Sequence, residues 1–201
     1  VYTGYQFGNY YRIDRNKEQQ TYIQPKHELG ESPYRFNWQT PILLSSHNQD
    51  ILYLGGNKLH RSMNQGDDWT AISPDLTQGG KEGNVAYGTL SSIIESPIRF
   101  GLIYTGSDDG LVQINKDSGA RWNYNKGGWR ANLWMSRVVS YQHKKERVYV
   151  TLNGYRFDDF TTYVYKSDDY GQTWKSIGEA LPTAPANVII EHPKKGNILF
   201  V

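Results

Sequence analysis

The chain has no cysteine in 201 residues. That rules out disulfide staples and any zinc site built on thiolates, and it fits any redox compartment. No apolar run approaches the roughly 18 residues a membrane-spanning helix needs, so no span is expected in this segment. No Asn-x-Ser/Thr sequon occurs, so nothing points to a glycosylated ectodomain. A dominant charge is missing too, since 22 basic residues face 20 acidic ones for a formal net charge of +2. A nucleic-acid partner would require a concentrated basic stripe, and none is expected. The densest basic run, His143-Lys144-Lys145-Glu146-Arg147, reads as a solvated turn. His27, His47, His60, His143 and His192 are scattered over turns and edges, with no pair at metal-ligand spacing. Gly-rich phosphate loops, nucleophile elbows and His-Glu zinc helices are absent, so neither a metal nor a cofactor is expected. The chain opens on Val1 rather than Met, which fits a trimmed or processed product.

What the chain does have is a repeat. Ser62-x-Asn64-x-Gly66-x-Asp68-Trp69 returns as Asn115-x-Asp117-x-Gly119-x-Arg121-Trp122 and as Ser167-x-Asp169-x-Gly171-x-Thr173-Trp174. The three tryptophans stand 53 and 52 residues apart. A second ruler runs through Tyr2, Tyr53, Tyr104, Tyr149 and Phe200, at intervals of 51, 51, 45 and 51. Each of these aromatics sits in a short β-rich run, and apolar runs precede four of them. A period near 50 built from short strands marks the blades of a β-propeller.

Each unit reads as four antiparallel strands; for the unit near Pro41 they fall at about 41–46, 51–56, 58–62 and 68–72. Gly66, Gly119 and Gly171 belong in the turn between the third and fourth strands, where positive φ is needed. The Asp or Asn of the same turn can tie down neighbouring backbone N–H groups. The following Trp opens the outer strand and can pack between blades. These polar clusters look catalytic but are read as structural. The expected layout is all-β: a partial blade at 1–23, blades at 39–72, 89–124 and 136–177, and the start of another at 187–201. Tyr2 and Phe200 share a phase, so the segment is expected to be an arc of a larger propeller. Stretches 21–38 and 73–88 read as loop insertions.

This pattern resembles the BNR or Asp-box propellers, the group that includes sialidases, sortilin and xyloglucanase-type glycoside hydrolases. More specifically, it is similar to large bacterial proteins described as sortilin-like or "glycosyl hydrolase" BNR-repeat proteins. The phrases that carry the likeness are Tyr34-Arg35-Phe36-Asn37-Trp38, Arg61 to Thr77, Tyr104 to Val112 and Tyr163 to Trp174. The resemblance implies a longer, exported bacterial protein found in the periplasm, at the cell surface or secreted. The sialidase arginine triad and its Tyr/Glu pair have no counterparts here. The second turn departs from the pattern at Asn115 and Arg121, which is expected to weaken it, and the first has decayed into Asp14 to Gln20.

In a four-stranded blade, the turns between strands two and three share one face with the blade-to-blade connections. Ligand-contacting candidates on that face are Arg35, Asn37 and Trp38; Trp129, Arg130, Asn132 and Trp134; and Tyr155 and Arg156. Flat aromatic rings stack on sugars or anchor protein contacts, and Arg adds a fixed hydrogen-bond fork. Carboxylate candidates for glycoside hydrolysis are Asp108, Asp109, Asp158 and Asp159, because that chemistry needs two carboxyl groups flanking the bond. Asp108-Asp109-Gly110 also reads as an ordinary hairpin turn. The expected function is a non-catalytic binding or scaffold propeller that recognises a protein or a glycan. The alternative is a two-propeller glycoside hydrolase of the xyloglucanase type.

Overall fold

The computed structural model describes residues 1–83, 85–125, 127–141 and 143–201. The described chain is built from β-strands, with one 3-10 turn at Tyr155–Phe157. It packs as two compact units, Val1–Leu90 and Ser91–Val201.

The first unit holds two antiparallel sheets. One has the order β1 (Tyr2–Tyr5), β2 (Asn9–Asp14), β3 (Gln19–Tyr22). The other runs β4 (Ile42–Leu44), β5 (Leu52–Gly55), β6 (Leu59–Ser62), β7 (Thr70–Ala71). Consecutive strands pair, as short hairpin connections require. Phe7 and Gly8 both take positive φ, at 60° and 75°, which matches the right-handed twist of the strands they join. All of β5 is buried, whereas both residues of β7 are exposed. Covering a central strand on both faces is what turns Leu52-Tyr53-Leu54 into a continuous apolar run instead of an alternating one.

The second unit repeats the plan. One sheet has the order β8 (Leu90–Glu95), β9 (Ile103–Ser107), β10 (Val112–Asn115), β11 (Trp122–Asn125). The next runs β12 (Trp134–Ser140), β13 (Val148–Gly154), β14 (Asp159–Ser167), β15 (Lys175–Ser176). A two-stranded sheet, β16 (Ile190–His192) with β17 (Lys195–Phe200), follows. Alternation along β13 divides its side chains between two cores. Val148, Val150 and Leu152 join a cluster with Leu102, Tyr104, Ile114 and Met135. Tyr149 joins Val164, Ala186 and Ile189 in another.

The repeated turn closes in the same way each time. Ser62 Oγ donates to Asn64 Oδ1 at 2.9 Å and accepts from the Gly66 amide at 2.8 Å, while the Asp68 amide donates to Asn64 Oδ1 at 2.9 Å. Ser167, Asp169, Gly171 and Thr173 reproduce these bonds at 2.7, 2.8 and 2.9 Å. Asn115 closes the second turn with its own amide. Its Oδ1 accepts from the Gly119 amide at 2.7 Å, and its Nδ2 donates to Asp117 Oδ1 at 2.8 Å and to the Arg121 carbonyl at 2.7 Å. Arg121 enters through its backbone: its amide donates to Asp117 Oδ1 at 2.9 Å.

Two of these turns, the first and the third, also touch the chain of the sheet before them. A Cβ on Gly66, whose φ is +96°, would lie 2.9 Å from Ile23 Cβ; one on Gly171, at +77°, would lie 2.5 Å from Ile114 Cδ1. Glycine is therefore required twice over, for its backbone angle and for the close approach. Trp69 Nε1 donates to the Ile23 carbonyl at 2.6 Å, and Asn125 Nδ2 donates to the Gly171 carbonyl at 2.5 Å.

His60 departs from expectation. It lies in β6, about 1% exposed, with its ring 4.4 Å from that of Tyr34. Its place beside the buried strand β5, with the Tyr34 ring against it, buries it.

Candidate functional site

In the first unit, two of the three candidates serve as internal braces. Arg35 donates from Nη2 to Asp75 Oδ2 at 2.6 Å and to Thr77 Oγ1 at 3.1 Å, and from Nε to the Gly88 carbonyl at 3.1 Å. Asp75 also accepts from Asn57 Nδ2 at 3.0 Å. Partial burial works against ionisation of Asp75, but the bonds from Thr77, Asn57 and Arg35 outweigh it and hold the carboxyl below its usual range. Asn37 is buried and donates from Nδ2 to Thr89 Oγ1 at 2.8 Å. Trp38 differs: it is 61% exposed and meets the edge of Phe7 at 5.3 Å between ring centroids. Phe7 also lines a groove of about 400 Å³ with Tyr34, Phe36, Lys81 and Val85. Phe7 was not among the sequence candidates. Its hint was a second aromatic two residues after Tyr5, beside Gly8, at a hairpin tip where a bulky side chain has no core to enter.

In the second unit the candidates divide more sharply. Trp129 is only 9% exposed; its Nε1 donates to the Gly110 carbonyl at 2.9 Å, and its ring packs 5.1 Å from Tyr165 and 5.5 Å from Trp174. It belongs to the core. Asn132 takes the left-handed conformation at φ 64°, which turns the chain from Trp129 toward β12. Asp108 and Asp109 are buried in the β9–β10 hairpin. Ser107 Oγ donates a short hydrogen bond to Asp109 Oδ1 and accepts from the Leu111 amide at 3.0 Å. Gly110 supplies the positive φ of 87° that closes this turn.

Trp134, Tyr155 and Arg156 come together. The Arg156 guanidinium lies 4.0 Å from the Trp134 ring centroid, and its Nε donates to Tyr155 Oη at 3.2 Å. Trp134 opens β12, Asn153 faces it across the ladder on β13, and Tyr155–Phe157 form the 3-10 turn that carries Arg156 over the indole. Asp158 ends that turn in the left-handed region at φ 55°. Phe157 and Phe160, 55% and 54% exposed, extend the apolar surface beyond the residues singled out from sequence. Asn153 Nδ2 donates to Asn187 Oδ1 at 2.8 Å, which ties the floor of this surface to the chain before β16.

Asp159 sits at the side of the platform. It accepts from the Thr161 amide at 3.1 Å and from Tyr163 Oη at 2.8 Å, and it pairs with Arg130 Nη1 at 3.1 Å. The Thr161 bonds, then the Tyr163 bond and Arg130, hold its carboxyl below the ordinary range. A general acid needs the opposite, a carboxyl kept protonated near neutrality. As arranged, Arg130 and Asp159 orient each other. Among the described residues, no group of three His, Asp or Glu side chains is placed to hold a metal ion.

The chain is similar in structure to an ancestral GH74 enzyme, with a TM-score of 0.61 and 18% identity over 88% of this chain and 22% of that one. It is likewise similar to the GH74 enzyme of Niastella koreensis, with a TM-score of 0.60 and 16% identity over 89% of this chain and 28% of that one. A third likeness is to YCF48 bound to a D1 peptide, at a TM-score of 0.50 and 13% identity over 100% of this chain and 66% of that one. The fold is that of a β-propeller. The chain spans only 22% and 28% of the two GH74 enzymes. No protein-family model and no curated protein sequence matches the chain.

Proposed function

We propose that this chain is a non-catalytic recognition segment of a propeller, binding a protein or glycan ligand at the platform formed by Trp134, Tyr155 and Arg156. The observation that carries this reading is the guanidinium seated 4.0 Å over the Trp134 ring. An arginine held over an indole presents a planar fork of donors beside exposed aromatic edges, a combination suited to a hydroxyl-rich ring or to a partner's polar side chains. The carboxylates nearby support binding over hydrolysis. Asp109 is closed into its hairpin, and Asp159 is held ionised by its partners. The YCF48 likeness, to a propeller bound to a peptide, fits a recognition role.

The same reading makes the chain part of a larger Asp-box protein of the BNR type, sortilin-like in its repeats and exported from a bacterium. The blade limits it assigns are 39–72, 89–124 and 136–177, flanked by partial blades at 1–23 and 187–201. Trp38 with Phe7 is the corresponding exposed aromatic pair of the first unit.

The test is a binding screen of the protein against neutral oligosaccharides and a peptide library, followed by calorimetry with Trp134→Ala and Arg156→Ala. A ligand bound by the wild type should lose at least about tenfold in affinity in either variant. Release of reducing sugar that disappears in Asp159→Asn would replace this reading with the hydrolase.

A further inference from the structure

Two hairpin turns at equivalent places in successive sheets of the second unit each carry a lysine pair. Lys144 and Lys145 lie between β12 and β13, and Lys194 and Lys195 lie at the β16–β17 hairpin. They stand 50 residues apart in sequence, and the fold sets the turns side by side. His143 Nε2 lies 3.0 Å from the His192 carbonyl, and Arg147 Nη1 donates to the Gly196 carbonyl at 3.3 Å. Lys166, on β14, joins the cluster. The turn itself does not require lysine, since its counterparts His47-Asn48-Gln49-Asp50 and Ser96-Pro97-Ile98-Arg99 do without a pair. In a chain with a net charge of only +2, this is a marked concentration of one sign.

The cluster also holds the carboxylates of Glu146, Asp168 and Glu191, the last 3.8 Å from Arg147 Nη1, so six basic side chains face three acidic ones and the surplus is positive. Asp168 receives Arg147 Nε at 2.7 Å, Lys166 Nζ at 2.9 Å and Lys144 Nζ at 3.2 Å. Lys145 reaches only Glu146, at 3.7 Å, and the ammonium groups of Lys194 and Lys195 form no ion pair among the described residues. We propose that this double-turn surface is a docking site for a linear polysaccharide bearing uronate carboxylates. Freely rotating ammonium groups suit dispersed carboxylates along a flexible chain, for they impose no fork geometry. Nucleic acid is less well served, because Arg147, the guanidinium in the cluster, is already committed to Asp168 and to the Gly196 carbonyl. A membrane is less well served because neither turn exposes a large apolar side chain to enter the lipid interface. This surface lies at the opposite end of β13 from the Trp134 platform, so it stands or falls independently of that site.

Polygalacturonate, neutral dextran, single-stranded DNA and phosphatidylserine vesicles are the probes, at about 50 mM and about 300 mM salt. Polygalacturonate should bind at low salt, weaken about tenfold or more at the higher salt, and exceed the other three. Lys144→Gln/Lys145→Gln and Lys194→Gln/Lys195→Gln should each lose about threefold or more with unchanged melting, while Trp134→Ala should bind polygalacturonate as the wild type does. Absence of polygalacturonate binding, indifference to both double variants, or tighter binding of DNA or vesicles would overturn the proposal.

Discussion

Arg35 and Asp75, forty positions apart, share a 2.6 Å ion pair that fastens one strandless stretch of the first unit to another. Through Thr77 and Gly88, the same guanidinium ties two further points of the chain after β7 to the stretch that leads into β4. Arg35→Ala should therefore lower stability by about 1–2 kcal/mol, since it strips charge-assisted bonds from a half-buried carboxylate. Limited proteolysis should then cut first between 73 and 88. A cleavage pattern identical to that of the wild type would contradict this role.

The buried ring of His60 makes a pH dependence. Burial lowers its pKa from 6.5 to about 4, the nearby Lys58 charge adding to the effect. Because the folded-state value lies below the unfolded one, the unfolded chain takes up the proton first. Stability is complete above about pH 6.5 and is lost as pH falls toward 4, by at most about 3 kcal/mol. His60→Gln, which copies Gln113 at the equivalent place in β10, should flatten that part of the profile. Urea unfolding of both proteins at pH 7 and pH 4.5 gives the comparison as a difference, so that carboxylates common to both cancel.

Asn115→Ser tests the departure in the second turn. Serine can accept from the Gly119 amide, but it cannot replace the Nδ2 bond to the Arg121 carbonyl. We expect a loss of about 1 kcal/mol, whereas Arg121→Thr should change stability by less than about 0.5 kcal/mol because Arg121 enters the turn by its backbone. A stabilised Asn115→Ser protein would show that the extra bonds contribute nothing.

Gly66→Ala places a methyl group against Ile23 at a residue already in the left-handed region. Both penalties act, and a loss of about 2–3 kcal/mol is expected in thermal unfolding. Gly79→Ala, at φ +104° but with nothing within 4 Å, separates the terms, since it carries only the backbone cost of about 1 kcal/mol.

The architecture was legible because its signal is redundant. Tyr53, Tyr104 and Tyr149 mark the second strand, and the Ser/Asn, Asp/Asn and Gly of each turn mark the end of the third. The site was only half legible. Trp129 and Trp134 are five residues apart in one polar segment, and nothing local distinguishes them. The Gly110 carbonyl, from a different hairpin, draws one indole into the core, while Arg156 caps the other. Arg35 had the same ambiguity, because its partner Asp75 lies far along the chain. The lysine pairs at 144–145 and 194–195 each look like ordinary solvated turns until the two hairpins are seen against each other.

The glycine contact with the preceding sheet has a practical side. Where a turn rests its Cα directly on its neighbour, as at Gly66 on Ile23, the spacing of the sheets is gauged there and not by the connecting segment. The length of that segment is then free to drift. Gly30, in the stretch between β3 and β4 and with nothing within 4 Å of where a Cβ would lie, marks where a foreign peptide or tag could be grafted without changing that contact.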